Sequence, residues 1–251
     1  MAMHSFLLIG QSNMAGRGEP GTVAPIENPR LFVARNARWQ PMYVPVNPDR
    51  PFSGISLAES FADAYSRDHD ADVGLIPCAD GGTSLSQWAP GGLLFDHAVA
   101  MAKLCMRTSI LRAVLWHQGE SDCTQALSAS YASRLTAMLR ALRDTLGMPE
   151  LPVLLGGLGD YLAGYDEGTR RFYPEVNAAL KAVAAQETCA AFVPAHGLGC
   201  KPDHLHFDAP ALRSFGLRYY EAYCKLEIPA AANTCRYDED DGRAHSAMET
   251  L

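Results

Sequence analysis

Three short apolar runs in the chain end in polar, glycine-bearing stretches. Residues 5–10 run into Gly10-Gln11-Ser12-Asn13, residues 72–77 into Asp80-Gly81-Gly82-Thr83-Ser84, and residues 112–116 into His117-Gln118-Gly119-Glu120-Ser121-Asp122. A fourth polar stretch, CKPDHLHFDAP at 200–210, brings Asp203, His204 and His206 close together. A hydroxyl, imidazoles, carboxylates, amides and tight turns make up the inventory for acyl transfer. A serine hydroxyl is a poor nucleophile until a base takes its proton, and imidazole suits that task at neutral pH. Ser12 is the candidate nucleophile and His206 the candidate base. The imidazole needs an acceptor on its other nitrogen to fix the tautomer, and Asp203 can reach it within one loop turn. His204 is the alternative imidazole, but its spacing from Asp203 is less suitable. The oxyanion needs donors worth roughly 3–4 kcal/mol each, and Ser12 N–H, Gly82 N–H and the Gln118 amide are the candidates.

Each residue taken alone has a plainer role. Ser12 could cap a helix, Gly81-Gly82 could be only a turn, and Asp203 with His206 only a loop hydrogen bond. Glu120 and Asp122 could cap a helix starting near Thr124, and Trp88 and Trp116 could be packing residues. Gln11 and Asn13, which flank Ser12, and Trp88 are the candidate substrate contacts, with Arg17 and Trp39 as further guesses. A competing chemistry gathers His117, Glu120, Asp203, His204 and His206 around zinc in a metal-dependent hydrolase, which leaves Ser12 without a role.

Strands and helices must position these groups. Apolar strands at 5–10, 72–77, 112–116, 151–157 and 189–195 alternate with helical periodicity at 56–68, 93–107, 124–146, 173–186 and 211–226. Ser56 is the expected cap of the first long helix, and 124–146 reads as one uninterrupted helix. Residues 15–54 read as a loop layer over one edge, broken by two short strands. The alternation predicts an α/β fold, a three-layer α/β/α sandwich with a mainly parallel sheet whose ligands collect at the carboxyl ends of the strands. Residues 1–228 are expected to form one domain, and 229–251 a polar C-terminal tail.

The chain has 251 residues, a net charge of −7 and no Lys/Arg-rich block, which argues against nucleic acid as a partner. Its first apolar stretch is too short for a signal core, and no later run reaches membrane length, so the expectation is a cytoplasmic protein with no membrane partner. Seven scattered cysteines without CxxC spacing fit small buried hydrophobes in a reducing compartment.

Taken in order, GQSNMAGRG, DGGTSLSQW, LWHQGESD and DHLHF resemble the SGNH hydrolase superfamily. Within it they are most similar to the carbohydrate esterases of family six and the sialate O-acetylesterase domains, over residues 5–223. The resemblance implies a flavodoxin-like α/β/α fold, no metal or other cofactor, and hydrolysis of O-acetyl esters on a saccharide of sialic acid or xylo-oligosaccharide type. Residue by residue, it implies Ser12 as nucleophile, His206 as base, Asp203 as its orienting partner, and Glu120 sharing or replacing Asp203. It also places Gly82 and Gln118 at the oxyanion hole. Met14 stands where a G-x-S-x-G elbow would need glycine, which sets the turn apart from the α/β-hydrolases. The non-enzyme alternative is a carbohydrate-binding protein on the same scaffold. An acidic sugar would call for arginine in the cleft, whereas a neutral xylo-oligosaccharide would not.

Overall fold

The computed structural model describes residues 3–226; the expected tail at 229–251 lies outside them. Its strands are β1 (Met3–Gly10), β2 (Leu31–Arg35), β3 (Arg38–Pro41), β4 (Val73–Pro77), β5 (Ser109–His117), β6 (Val153–Gly156) and β7 (Ala190–Val193). Its helices are α1 (Ser12–Ala15), α2 (Leu57–His69), α3 (Leu93–Cys105), α4 (Gln125–Ala129), α5 (Tyr131–Leu146), α6 (Tyr173–Gln186) and α7 (Ala209–Cys224). The seven strands form one sheet in the order β3-β2-β4-β1-β5-β6-β7. Neighbours run parallel except β3, which pairs antiparallel with β2 at the edge. The segment 15–54 is therefore only partly the loop layer expected, because its hairpin extends the sheet.

Strands covered on both faces need apolar side chains in both directions, which is why β1 reads FLLI without polar interruption. Phe6 and Leu8 join a core with Phe61 of α2 and Leu212 of α7. Leu7 and Ile9 join the opposite core with Phe95 of α3, Leu135 of α5 and Leu180 of α6. These two cores make the three layers.

Ser56 caps α2 as its sequence suggests: its hydroxyl accepts from Ala58 N–H, and Glu59 accepts Ser56 N–H. The single helix expected over 124–146 is two helices that break at Ser130. Arg134 stabilises the break by donating to Leu127 O and Ser130 Oγ while it pairs with buried Asp122. The apolar periodicity continues across this break, so periodicity alone could not reveal it.

The strand order explains the site. β4, β1 and β5 are adjacent, and the chain leaves β1 toward one side of the sheet before crossing to the other. The three polar strand ends therefore converge where the winding reverses. At this end Gly10, with φ 131°, lies against β5: a Cβ there would sit 2.1 Å from His117 O. Only glycine allows β1 to turn into α1 at this separation.

Candidate active site

Ser12 opens the four-residue helix α1 directly after β1. His206 lies in the turn before α7, which is closed by the Cys200–Phe207 bridge and by Lys201 N–H donating to His206 O at 2.8 Å. Asp208 then caps α7 by accepting Ala211 N–H at 2.8 Å. Between these ends, Ser12 Oγ lies 3.0 Å from His206 Nε2, and His206 Nδ1 lies 2.8 Å from Asp203 Oδ2. An ionised carboxylate only accepts, so Nδ1 carries the proton and Nε2 presents its lone pair to the serine hydroxyl. Partial burial pushes the Asp203 carboxyl up. Hydrogen bonds from the His206 ring and from Leu205 and His206 N–H outweigh that effect and hold it below the usual carboxylate value. His204 has φ 50° and its Nδ1 faces Cys200 Sγ at 3.8 Å, away from this row.

The Asp80-Gly81-Gly82 turn lies against Ser12. A Cβ at Gly81 would be 3.4 Å from Ser12 Cβ and 2.4 Å from Arg17 Nη2, so the turn has room only for glycine there. Gly82 follows with φ 83°. Ser12 N–H and Gly82 N–H donate no hydrogen bond among the described residues, so both are free for an incoming oxyanion.

Several expected roles change. The Gln118 amide does not face the site. It is 0% exposed, its Nε2 donates to Asp122 Oδ2, Thr83 O and Gln11 Oε1, and its Oε1 accepts from Tyr131. With every polar atom committed inside the wall, Gln118 has no donor left for an oxyanion and instead holds Gln11. Trp88 is not a substrate contact: it is 0% exposed, packs edge-on against Trp116, and donates its indole N–H to Thr83. Arg17 and Trp39 are also buried, Arg17 on Asp49 and Trp39 on Thr108. Of the cysteines, Cys78, Cys105 and Cys123 are buried as expected, with their thiols pushed up by burial, but Cys224 is exposed.

Glu120 does not touch His206. Its Oε1 accepts from Asn13 Nδ2 at 2.6 Å. Asn13 in turn donates to Leu205 O at 3.2 Å and accepts Phe207 N–H at 3.1 Å, so its amide reaches the backbone on both sides of His206. Asn13 is 1% exposed and its amide is taken up by these three partners, so it braces the turn from within the wall. Nothing in the sequence signals this role, because the partners lie 107 and more residues away. Nor do the proposed zinc ligands gather: His117 and Glu120 are buried while Asp203 is on the outer turn. No group of three or more His, Cys, Asp or Glu side chains suited to a metal occurs among the described residues. Burial lowers the His117 pKa, and its Nε2 donates to Gly157 O, which makes it a neutral structural histidine.

The family model described as carbohydrate esterase, sialic acid-specific acetylesterase, matches residues 2–225. The chain belongs to this family. The carbohydrate esterase is also 31% identical over 242 residues to a probable carbohydrate esterase of Arabidopsis thaliana, covering 87% of this chain and 89% of that one. A crystal structure of an Arabidopsis thaliana protein superimposes with a TM-score of 0.81 at 26% identity, over 91% of this chain and all of that one. NanS shares the SGNH-type fold with a TM-score of 0.70 at 16% identity, over 89% and 97% of the two chains. Membership makes the protein a carbohydrate acetylesterase and implies an acetylated saccharide as its substrate. No helix among the described residues is long and apolar enough to cross a membrane.

Proposed function

We propose that this carbohydrate esterase removes O-acetyl groups from a saccharide through an acyl-enzyme on Ser12. The observation that carries the reading is the 3.0 Å contact between Ser12 Oγ and His206 Nε2, with Asp203 on the far side of the ring. His206 takes the serine proton as Oγ attacks the acetyl carbonyl, and Ser12 and Gly82 N–H receive the oxyanion. The tetrahedral intermediate collapses as His206 returns the proton to the sugar oxygen. Water, deprotonated by the same imidazole, then releases acetate. Gln11 borders the serine with Oε1 held by Gln118 and Nε2 without a partner among the described residues, which suits a contact to the substrate.

An acidic sugar of the sialic acid kind fits better than a neutral one. The loop 160–172 flanks the histidine turn: Tyr161 packs on Phe207 with centroids 5.1 Å apart, and Gly164 lies beside His204. On this loop Arg170 stacks 5.6 Å over the Tyr165 ring and makes no ion pair among the described residues, leaving a guanidinium for a carboxylate. Ser12→Ala assayed on p-nitrophenyl acetate and on O-acetylated sialic acid tests the mechanism. Turnover should fall by on the order of 10⁴-fold or more, and undiminished acetate release would overturn it.

A further inference from the structure

Resting on the serine-esterase reading, we infer that Glu120 is a positioning residue acting on His206 through Asn13, whose amide grips the backbone on both sides of the base.

The hydrogen-bond polarity leaves Asn13 no alternative orientation. A side-chain amide has two N–H donors and one carbonyl. Glu120 Oε1 and Leu205 O each require a donor, while Phe207 N–H requires an acceptor. Flipping the amide would break all three bonds, so its orientation is fixed by its partners. Asp203 holds the remaining N–H groups of the turn: its Oδ1 accepts Leu205 N–H at 2.9 Å and His206 N–H at 3.0 Å. Two side chains thus fix the peptide groups around the base, and one of them, Asn13, adjoins the nucleophile in sequence. The distance between Ser12 and His206 is set by that neighbour.

Glu120 is the anchor beneath the clamp. It follows β5, the strand paired with β1, and is 1% exposed. Burying a carboxylate is costly unless hydrogen bonds compensate it. Yet its Oε2 has no partner among the described residues, and its hydrogen bonding there goes entirely to Asn13 through Oε1. The nearest imidazole nitrogen, His117 Nδ1, is 3.7 Å away on a ring that burial keeps neutral. A carboxylate placed at this cost for one hydrogen bond is explained by what that bond holds.

The test is a double-mutant cycle of Asn13→Ala and Glu120→Ala on p-nitrophenyl acetate, with circular dichroism and thermal unfolding of each variant and Ser12→Ala alongside. Asn13→Ala should lower kcat on the order of 10²-fold with KM within about twofold, because a misplaced base slows chemistry without removing substrate contacts. Glu120→Ala should lower kcat about tenfold, and the double variant should be no slower than Asn13→Ala alone, since residues acting through one another are not additive. Glu120→Gln, which keeps an acceptor oxygen for Asn13, should recover kcat to within about threefold. Losses that multiply in the double variant, or an unchanged kcat in Glu120→Ala, overturn the inference. If Glu120→Ala does not fold, Glu120→Asp replaces it in the cycle, with the carboxylate withdrawn by one methylene and the same two outcomes read. Undiminished turnover in Ser12→Ala would defeat the serine reading itself. Loss of turnover there, with multiplying losses at 13 and 120, defeats only the clamp.

Discussion

Asp49 Oδ2 accepts the backbone N–H of Gly81 at 2.8 Å, while Arg17 grips the same carboxylate at 2.7 and 2.9 Å. A loop between β3 and α2 therefore holds the turn that carries Gly82. The pair is buried, with side chains 3% and 4% exposed. Burial pushes the Asp49 carboxyl up, but the hydrogen bonds from Arg17 and Ser53, the Arg17 charge and the Gly81 N–H prevail and hold it below its usual value. Asp49→Asn strands a buried guanidinium, and unfolding in denaturant should show a loss of about 3–5 kcal/mol. A depressed folded pKa gives stability that is complete above the unfolded value, about 3.9, and is lost as pH falls through the folded value. The variant should therefore lose less stability than the wild type across that acid window.

Asp203 gives the esterase a pH signature. Its carboxyl is held below the usual range by hydrogen bonds from the His206 ring and from Leu205 and His206 N–H, which outweigh its partial burial. The acid limb of kcat/KM should rise with pH with a slope of one down to about pH 4, so that a single proton controls it. A slope of two would show that the carboxylate titrates as well. Asp203→Asn should lower kcat by on the order of 10²–10⁴-fold by favouring the wrong tautomer.

Trp88 belongs to the core, so its removal should be felt in folding. Trp88→Ala should cost about 3–5 kcal/mol in equilibrium unfolding. Trp88→Phe should leave KM for acetylated saccharides unchanged, and a KM that rises for saccharides but not for p-nitrophenyl acetate would return the residue to the substrate.

Arg170 separates the two sugar classes. Arg170→Ala should raise KM for O-acetylated sialic acid about tenfold or more, the worth of a hydrogen bond to a charged group. It should leave acetylated xylo-oligosaccharides unaffected. Equal effects on both substrates would remove the arginine from carboxylate recognition.

What the sequence disclosed follows from the range of the interactions involved. The alternation of strands and helices was legible because burial on both faces of a sheet leaves continuous apolar runs such as FLLI. The convergence of Ser12, Gly82 and Glu120 could be anticipated because all three follow strands, and strand ends gather at one edge of a parallel sheet. Asp203 and His206 sit in one turn, so their contact is local. The direction of a side chain is not local. Gln118 has the chemistry of an oxyanion donor but spends it on Asp122, Thr83 and Gln11. Trp88 follows a glycine turn yet points into the core, and Asn13 has its partners on β5's exit and the final turn. The break at Ser130 depends on Arg134 reaching a carbonyl and a carboxylate, which leaves the apolar spacing intact.

Asn13 and Ser12 follow the first strand of the sheet, while His206, which Ser12 meets, lies 194 residues further on. A chain emerging from the ribosome can complete β1 and α1 early, but Asn13 has nothing to grip until Leu205 and Phe207 have been made and docked. Esterase activity therefore reports on nearly the whole domain at once. Under the proposed serine mechanism, hydrolysis is expected only once Ser12 and the turn that carries His206 have docked on each other.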